Sequence, residues 1–99
     1  MSDTIEELYV AQNPRSRALF EQQRQVVAGG ATHDARQFPP FPLFIASSSG
    51  ARKRDVDGHE YIDYWMGHGA LLLGHGHPAV VQAITEQARR GLHGGGETE

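Results

Sequence analysis

Three prolines in four residues, Pro39, Pro40 and Pro42, bar any helix from running through the middle of this chain. A residue that precedes proline is also pushed towards extended backbone. The stretch ATHDARQFPPFP, residues 31–42, is therefore expected as an extended connection, with Phe38, Phe41 and Phe44 pinning it to whatever lies beneath. The chain on either side must build its own local elements.

Residues 1–30 read as a helical segment. Asp3 or Thr4 can cap a first short helix, because Glu6 and Glu7 follow at capping-box spacing and favour its positive end. Ile5, Leu8 and Tyr9 would share one face of it. Asn13–Pro14 then starts a second helix, with Asn as cap and proline in the first turn. Leu19, Phe20, Gln23, Val26 and Val27 recur at helical spacing, and Gly29–Gly30 is expected to end the run.

Residues 43–66 read as a small antiparallel meander. Leu43–Ala46 suits a short strand and Ser47–Gly50 a turn. Arg52–Val56 then faces Glu60–Trp65 across Asp57–Gly58, a strong local signal for a hairpin. Tyr61, Asp63 and Trp65 alternate with Ile62 and Tyr64, as on a strand with two unlike faces. The first arm carries Arg52, Lys53 and Arg54, so it is expected at an exposed edge.

Residues 67–99 combine a glycine–histidine turn, a helix and the start of a further connection. Pro78 opens the helix, Val81, Ile84, Ala88 and Leu92 give it an apolar row, and Gly91 or Gly94 can close it. The final Gly95–Glu99 resembles a new helix start with Thr98 as cap.

Within this stretch, GHGALLLGHGHP holds His68, His75 and His77. An H-x-H pair can offer two imidazoles to zinc, but a zinc site needs three or four ligands and the chain has no cysteine. Free N–H groups at a helix start attract phosphate, yet the stretch matches neither common phosphate-loop pattern, and Pro78 removes one donor. A tight turn in which glycines supply positive φ and His77 or a neighbour caps the helix needs no ligand. On residue chemistry alone the turn is favoured, and no metal site is expected.

At 99 residues the chain is one domain at most, with a thin core. A net charge of -3 without a clustered basic face argues against nucleic acid. The N-terminus lacks the basic and apolar blocks of a secretion signal, and no apolar run nears the ~20 residues of a membrane span. A cytoplasmic address is expected.

Four segments in order carry a resemblance: the helix end and loop VVAGGATHDARQFPPFPLFI, the hairpin DVDGHEYIDYWMGHG, the block ALLLGHGHPAVVQAI and the tail EQARRGLHGGGETE. Together, from Leu19 to Glu99, they resemble the N-terminal part of class III, pyridoxal-phosphate-dependent aminotransferases. The nearest likeness is to glutamate-1-semialdehyde 2,1-aminomutase and its relatives. The resemblance implies an α+β fragment (N-terminal helices, a small antiparallel meander and a following long helix) of a fold type I transferase that is α/β when complete. It also implies pyridoxal 5'-phosphate as cofactor, a homodimer, and small-molecule amino donors and acceptors.

Matching the family's substrate-binding pattern places Arg36 on its arginine, where the planar fork can pair a carboxylate. His33 stands where the aminomutase has serine, and His68 where it has a pocket-lining tryptophan. These three are the expected substrate-binding residues, and the two histidines depart from the aminomutase pattern. No catalytic or cofactor-binding residue is expected in the segment. The cofactor needs a Schiff-base lysine, and the only lysine, Lys53, sits between Arg52 and Arg54 on the charged hairpin arm. The chain alone is therefore expected to be inactive. The alternative is a standalone binding or dimer-pairing module without catalysis.

Overall fold

Thr4 and Glu7 exchange hydrogen bonds, Thr4 Oγ1 accepting the Glu7 N–H and Glu7 Oε2 accepting the Thr4 N–H, and this capping box starts helix α1 (Ile5–Gln12). The computed structural model describes residues 4–96; Asp3 and Thr98, the other expected caps, lie outside them. Tyr9 makes the contacts of the α1 face. Its ring lies 5.1 Å from Phe41 and 6.3 Å from Phe38, and its hydroxyl donates to the Phe41 carbonyl at 2.7 Å. Ile5, by contrast, is exposed.

Helix α2 (Pro14–Gln23) begins at Pro14 as expected, but Asn13 makes no side-chain cap bond. Its amide turns back instead, donating to the Tyr9 carbonyl at 2.8 Å. The cap comes from 41 residues further along the chain: Asp57 accepts the N–H groups of Arg15 (2.8 Å) and Ser16 (3.0 Å) through its two oxygens. Buried Ser16 in turn accepts the Phe44 N–H through its hydroxyl at 3.2 Å. A carboxylate at a helix N-terminus satisfies orphan donors and meets the positive end of the dipole. Burial raises the Asp57 pKa, but the Arg15 and Ser16 N–H groups outweigh it and hold the carboxyl below its usual value.

The helix stops at Gln23, earlier than the double glycine. Val27 is extended, and Ala28–Gly30 forms a separate 3-10 turn. Gly30 serves close approach: a Cβ there would stand 2.6 Å from the Phe20 ring. Gln23 ties the two parts by donating to the Gly30 carbonyl at 2.9 Å.

Strands β1 (Ile45–Ser49), β2 (Arg52–Asp55) and β3 (Glu60–Ile62) form one antiparallel sheet in the order β1-β2-β3. The charged arm β2 is thus the central strand and not the edge. The serines expected in a turn pair with it, Ser47 opposite Arg54, Ser48 opposite Lys53 and Ser49 opposite Arg52. The short, exposed serines of β1 let the long basic side chains of β2 reach past them to water. Arg52 meets Glu60 across the β2–β3 pair at 2.7 Å. The hairpin turn is held by Asp55, 1% exposed. Its Oδ1 accepts the N–H groups of Asp57 (3.0 Å) and His59 (2.8 Å), and its Oδ2 receives Tyr61 Oη (2.8 Å) and faces His59 Nδ1 (2.9 Å).

Between the sheet and the last helix lies one short helical turn, α3 (Met66–Gly69). Helix α4 (Pro78–Arg90) closes at Gly91, whose φ is 107°. The α4 apolar row is open to solvent, with Val81 50% and Ile84 59% exposed. Among the described residues Phe41 is the buried apolar side chain. The body measures 61 × 30 × 19 Å with a radius of gyration of 17.2 Å, where a compact chain of this length would have about 13 Å. Among the described residues no helix is long and apolar enough to cross a membrane.

If Asp57 caps α2 through space, Asp57→Ala costs about 1 kcal/mol locally. The Arg15 and Ser16 amides should then exchange hydrogen roughly fivefold faster, with the β2–β3 amides little changed. Unchanged exchange at both amides would show that the contact is idle.

Candidate functional site

The strand β3 ends at Ile62 because Asp63 turns its carboxylate onto the chain ahead of it. Asp63 Oδ1 accepts the N–H groups of Trp65 (2.9 Å) and Met66 (3.2 Å), so the alternation expected through Trp65 breaks off. The backbone then enters the left-handed region and stays there for four residues. Met66, Gly67, His68 and Gly69 have φ values of 47°, 61°, 63° and 78°, and the Gly69 N–H donates to the Trp65 carbonyl at 2.9 Å. The turn α3 is therefore left-handed. Two of its residues are not glycine, and left-handed backbone costs such residues roughly 1–2 kcal/mol each. Strain of this kind survives where surrounding contacts hold it, and it concentrates at ligand-binding places.

The turn sets out a row of rings. His68 lies 5.0 Å from Trp65 and 5.6 Å from His33, both in edge-on arrangements. Both expected histidines thus come together although 35 positions separate them in the chain. Trp65 joins them, where alternation in the sequence puts it on a strand. Its only local mark is an aromatic three positions before His68 with a glycine between.

His33 stands at the head of the 3-10 turn Asp34–Arg36. The Ala35 N–H reaches both His33 Nδ1 (3.1 Å) and Asp34 Oδ1 (2.7 Å), and that oxygen stands 2.7 Å from Nδ1. The 2.7 Å approach of Asp34 Oδ1 favours a proton on Nδ1, which then cannot accept the Ala35 N–H; that N–H is left to Asp34 Oδ1, and Nε2 is the acceptor nitrogen. Arg36, at the end of the same turn, donates from Nη1 to Thr32 Oγ1 at 2.6 Å. The structure ties Arg36 to Thr32 rather than to either histidine, and the residue is otherwise exposed.

Behind the rings lies a second layer. Asp63, 7% exposed, also faces His75 through Oδ2 at 2.7 Å and Lys53 Nζ through Oδ1 at 3.3 Å. His75 is fixed by backbone too: it exchanges two 2.9 Å hydrogen bonds with Gly50. Gly74 permits that approach, since a Cβ there would stand 3.0 Å from the Gly50 carbonyl oxygen. The GHGHP stretch is thus a turn bridged to the end of the sheet. His77, at the cap position of α4, makes no side-chain cap bond, and its Nδ1 is buried without a partner. The single lysine, Lys53, is engaged by Asp63.

Comparison with known proteins gives the chain a family. A family profile described as aminotransferase class-III matches residues 33–97. The glutamate-1-semialdehyde 2,1-aminomutase of Methanopyrus kandleri is 41% identical over 90 residues, covering 91% of this chain and 21% of the relative. The structure of a β-phenylalanine aminotransferase from Variovorax paradoxus superposes with a TM-score of 0.82 at 32% identity, covering 93% of this chain and 21% of that one. A transaminase with PLP bound gives a TM-score of 0.78 at 37% identity, over 87% of this chain and 20% of that one. The chain spans about a fifth of the length of each. The helices and antiparallel meander agree with the N-terminal part of a fold type I transferase.

The carboxyls behind the site set its behaviour in acid. The hydrogen bond from His75 holds Asp63 well below the usual carboxylate range, helped by the Met66 and Trp65 N–H groups and Lys53 against the cost of burial. At Asp55 burial pushes the pKa up, but the bonds from His59 and Tyr61 outweigh it and leave the value lowered. Tyr61, raised to about 12 by burial and by Asp55, keeps its proton and stays a donor. A carboxyl whose folded pKa lies below its unfolded value of about 3.9 stabilises the fold above that pH, and the gain is lost as pH falls through the folded value. Near-UV circular dichroism should therefore stay flat from neutrality down to about pH 4 and decay only below it. Asp55→Asn, which leaves buried donors unmatched, should cost on the order of 2 kcal/mol at neutral pH and move the acid transition upward.

Proposed function

The chain belongs to the class-III aminotransferase family, and from that premise we propose that it is the substrate-side N-terminal segment of a pyridoxal-phosphate-dependent aminotransferase or aminomutase. The reaction is amino-group transfer on an amino acid or amino-aldehyde of the glutamate-1-semialdehyde kind. The observation that carries the reading is the meeting of His33 and Trp65 with His68, which stands on a left-handed turn, all inside the family-matched residues. Arg36 offers its fork one short turn away.

In this reading Arg36 pairs the substrate carboxylate. His33 and His68 form the wall against which the rest of the substrate lies. His68 and Trp65 present ring edges and faces, and His33 Nε2 offers an acceptor to a substrate N–H or O–H. These residues bind and orient, and none of them carries the bond-making. Pyridoxal phosphate, held by other parts of the enzyme, supplies the electron sink for the amino transfer. Stretches 1–30, 31–42, 43–66 and 67–99 act as consecutive parts of one segment laid over the cofactor-bearing body. The elongated shape and the open apolar row of α4 suit a segment that packs against further protein of a cytoplasmic homodimer. The same openness is what a bare dimer-pairing module would show; the ring cluster and Arg36 favour the substrate reading.

Kinetics in the protein that carries this segment, loaded with pyridoxal phosphate, test the reading. Arg36→Ala should raise KM for a carboxylate-bearing amino donor about tenfold and lower kcat much less, the pattern of lost substrate binding. His68→Ala should alter the preference between donors more than the rate with the best one. A KM unchanged in Arg36→Ala would remove Arg36 from the substrate.

A further inference from the structure

We propose that Asp63 and His75 are positioning residues, which hold the strained turn under Trp65 and His68 so that the two rings meet a substrate as one rigid face. The assignment rests on the reading that this face lies towards substrate, and it adds two residues to that site which touch no ligand themselves.

The geometry converges on one carboxylate. Asp63 Oδ1 takes the N–H groups of Trp65 and Met66, the two residues that lead into the left-handed backbone. Its Oδ2 faces His75 Nε2 at 2.7 Å, and Lys53 Nζ stands at 3.3 Å from Oδ1. His75 is itself anchored to Gly50 by paired backbone bonds, so it presents a donor that cannot drift. The carboxylate is thereby held through Oδ2 by His75, while Oδ1 orders the turn and also meets Lys53. Met66 and His68 lack the conformational freedom of glycine, so the turn depends on such an external hold. Without it the backbone at His68 relaxes towards ordinary φ, and the contact of 5.0 Å between His68 and Trp65 opens.

A spectroscopic signal reads this contact without substrate or cofactor. Trp65 is the only tryptophan of the chain, and indole emission is quenched when a protonated imidazole touches it. The emission of the full 99-residue chain should therefore fall about twofold between about pH 8 and about pH 5, where imidazoles charge. His68→Ala should flatten that drop and so identify His68, rather than His33, as the quencher. Asp63→Asn should flatten it as well. His75→Ala should weaken it, and His75→Gln, which restores an N–H donor towards Asp63, should recover most of it. The His75 pair keeps the proposal decidable should Asp63→Asn unfold the meander. A wild-type chain with no drop, an Asp63→Asn chain with the wild-type drop, or equal drops in the two His75 variants would overturn it. Substrate affinity plays no part here, so this result and the Arg36 kinetics can fail separately.

Discussion

The carboxylate of Asp63 is the point on which the ring-bearing end of this structure turns. It ends strand β3, starts the left-handed turn, holds the chain's single lysine and engages His75 from the glycine–histidine stretch. Elements from three parts of the sequence meet at one side chain. A buried charge is tolerable only when its lone pairs are all met by donors, and here backbone N–H groups, an imidazole and an ammonium meet them. Removing any one donor leaves the others in place, whereas removing the acceptor orphans all of them at once.

The same device recurs through the fold. Asp55 gathers the hairpin turn, and Asp57 caps a helix that lies 41 residues earlier. With Phe41 as the buried apolar side chain among the described residues, these carboxylates do the ordering that packing does in a thicker domain. Directional bonds are well suited to that task, because they fix angles as well as distances. They contribute less net free energy than apolar burial, since water competes for the same groups. The result is a segment that is locally well specified and globally open. Its accessible surface of 8000 Å² exceeds the roughly 5,600 Å² of a compact protein of its mass, and apolar rows such as Val81 and Ile84 account for part of the excess.

Local signals carry much of the fold. Thr4 with Glu7, Pro14, Asp57–Gly58 and Pro78 each announce an element through chemistry confined to a few neighbours, and the structure places an element at each. The features that escape such signals depend on partners distant in the chain. Cap rules look to the preceding residue and so assign the start of α2 to Asn13; the carboxylate that serves arrives from the hairpin. The charges of β2 suit an edge, yet its place in the sheet is decided by β1, whose serines have weak strand preference. The early end of α2 lets Gly30 come back against the Phe20 ring, a contact that periodicity does not encode. For the site, resemblance singles out His33, Arg36 and His68, and the structure joins the two histidines. Trp65 and Asp63 stay hidden because a period-two pattern through β3 gives each a sufficient strand role.

The left-handed turn shows why such a place is hard to read and why it is informative. Glycine at positions 67 and 69 permits positive φ but does not demand it, since glycine accepts most conformations. Met66 and His68 argue against it. Only the closing of Asp63 onto the Trp65 and Met66 N–H groups makes the left-handed path the better one, and that requires the carboxylate to be held from behind. The order of dependence thus runs from Gly50 through His75 and Asp63 to the turn, and from the turn to the rings. A change at Gly74, which carries none of the rings, would press on the Gly50 carbonyl and disturb the first link. The position of this ring face is therefore set by residues of two kinds, those that carry the rings and those that decide where the rings stand.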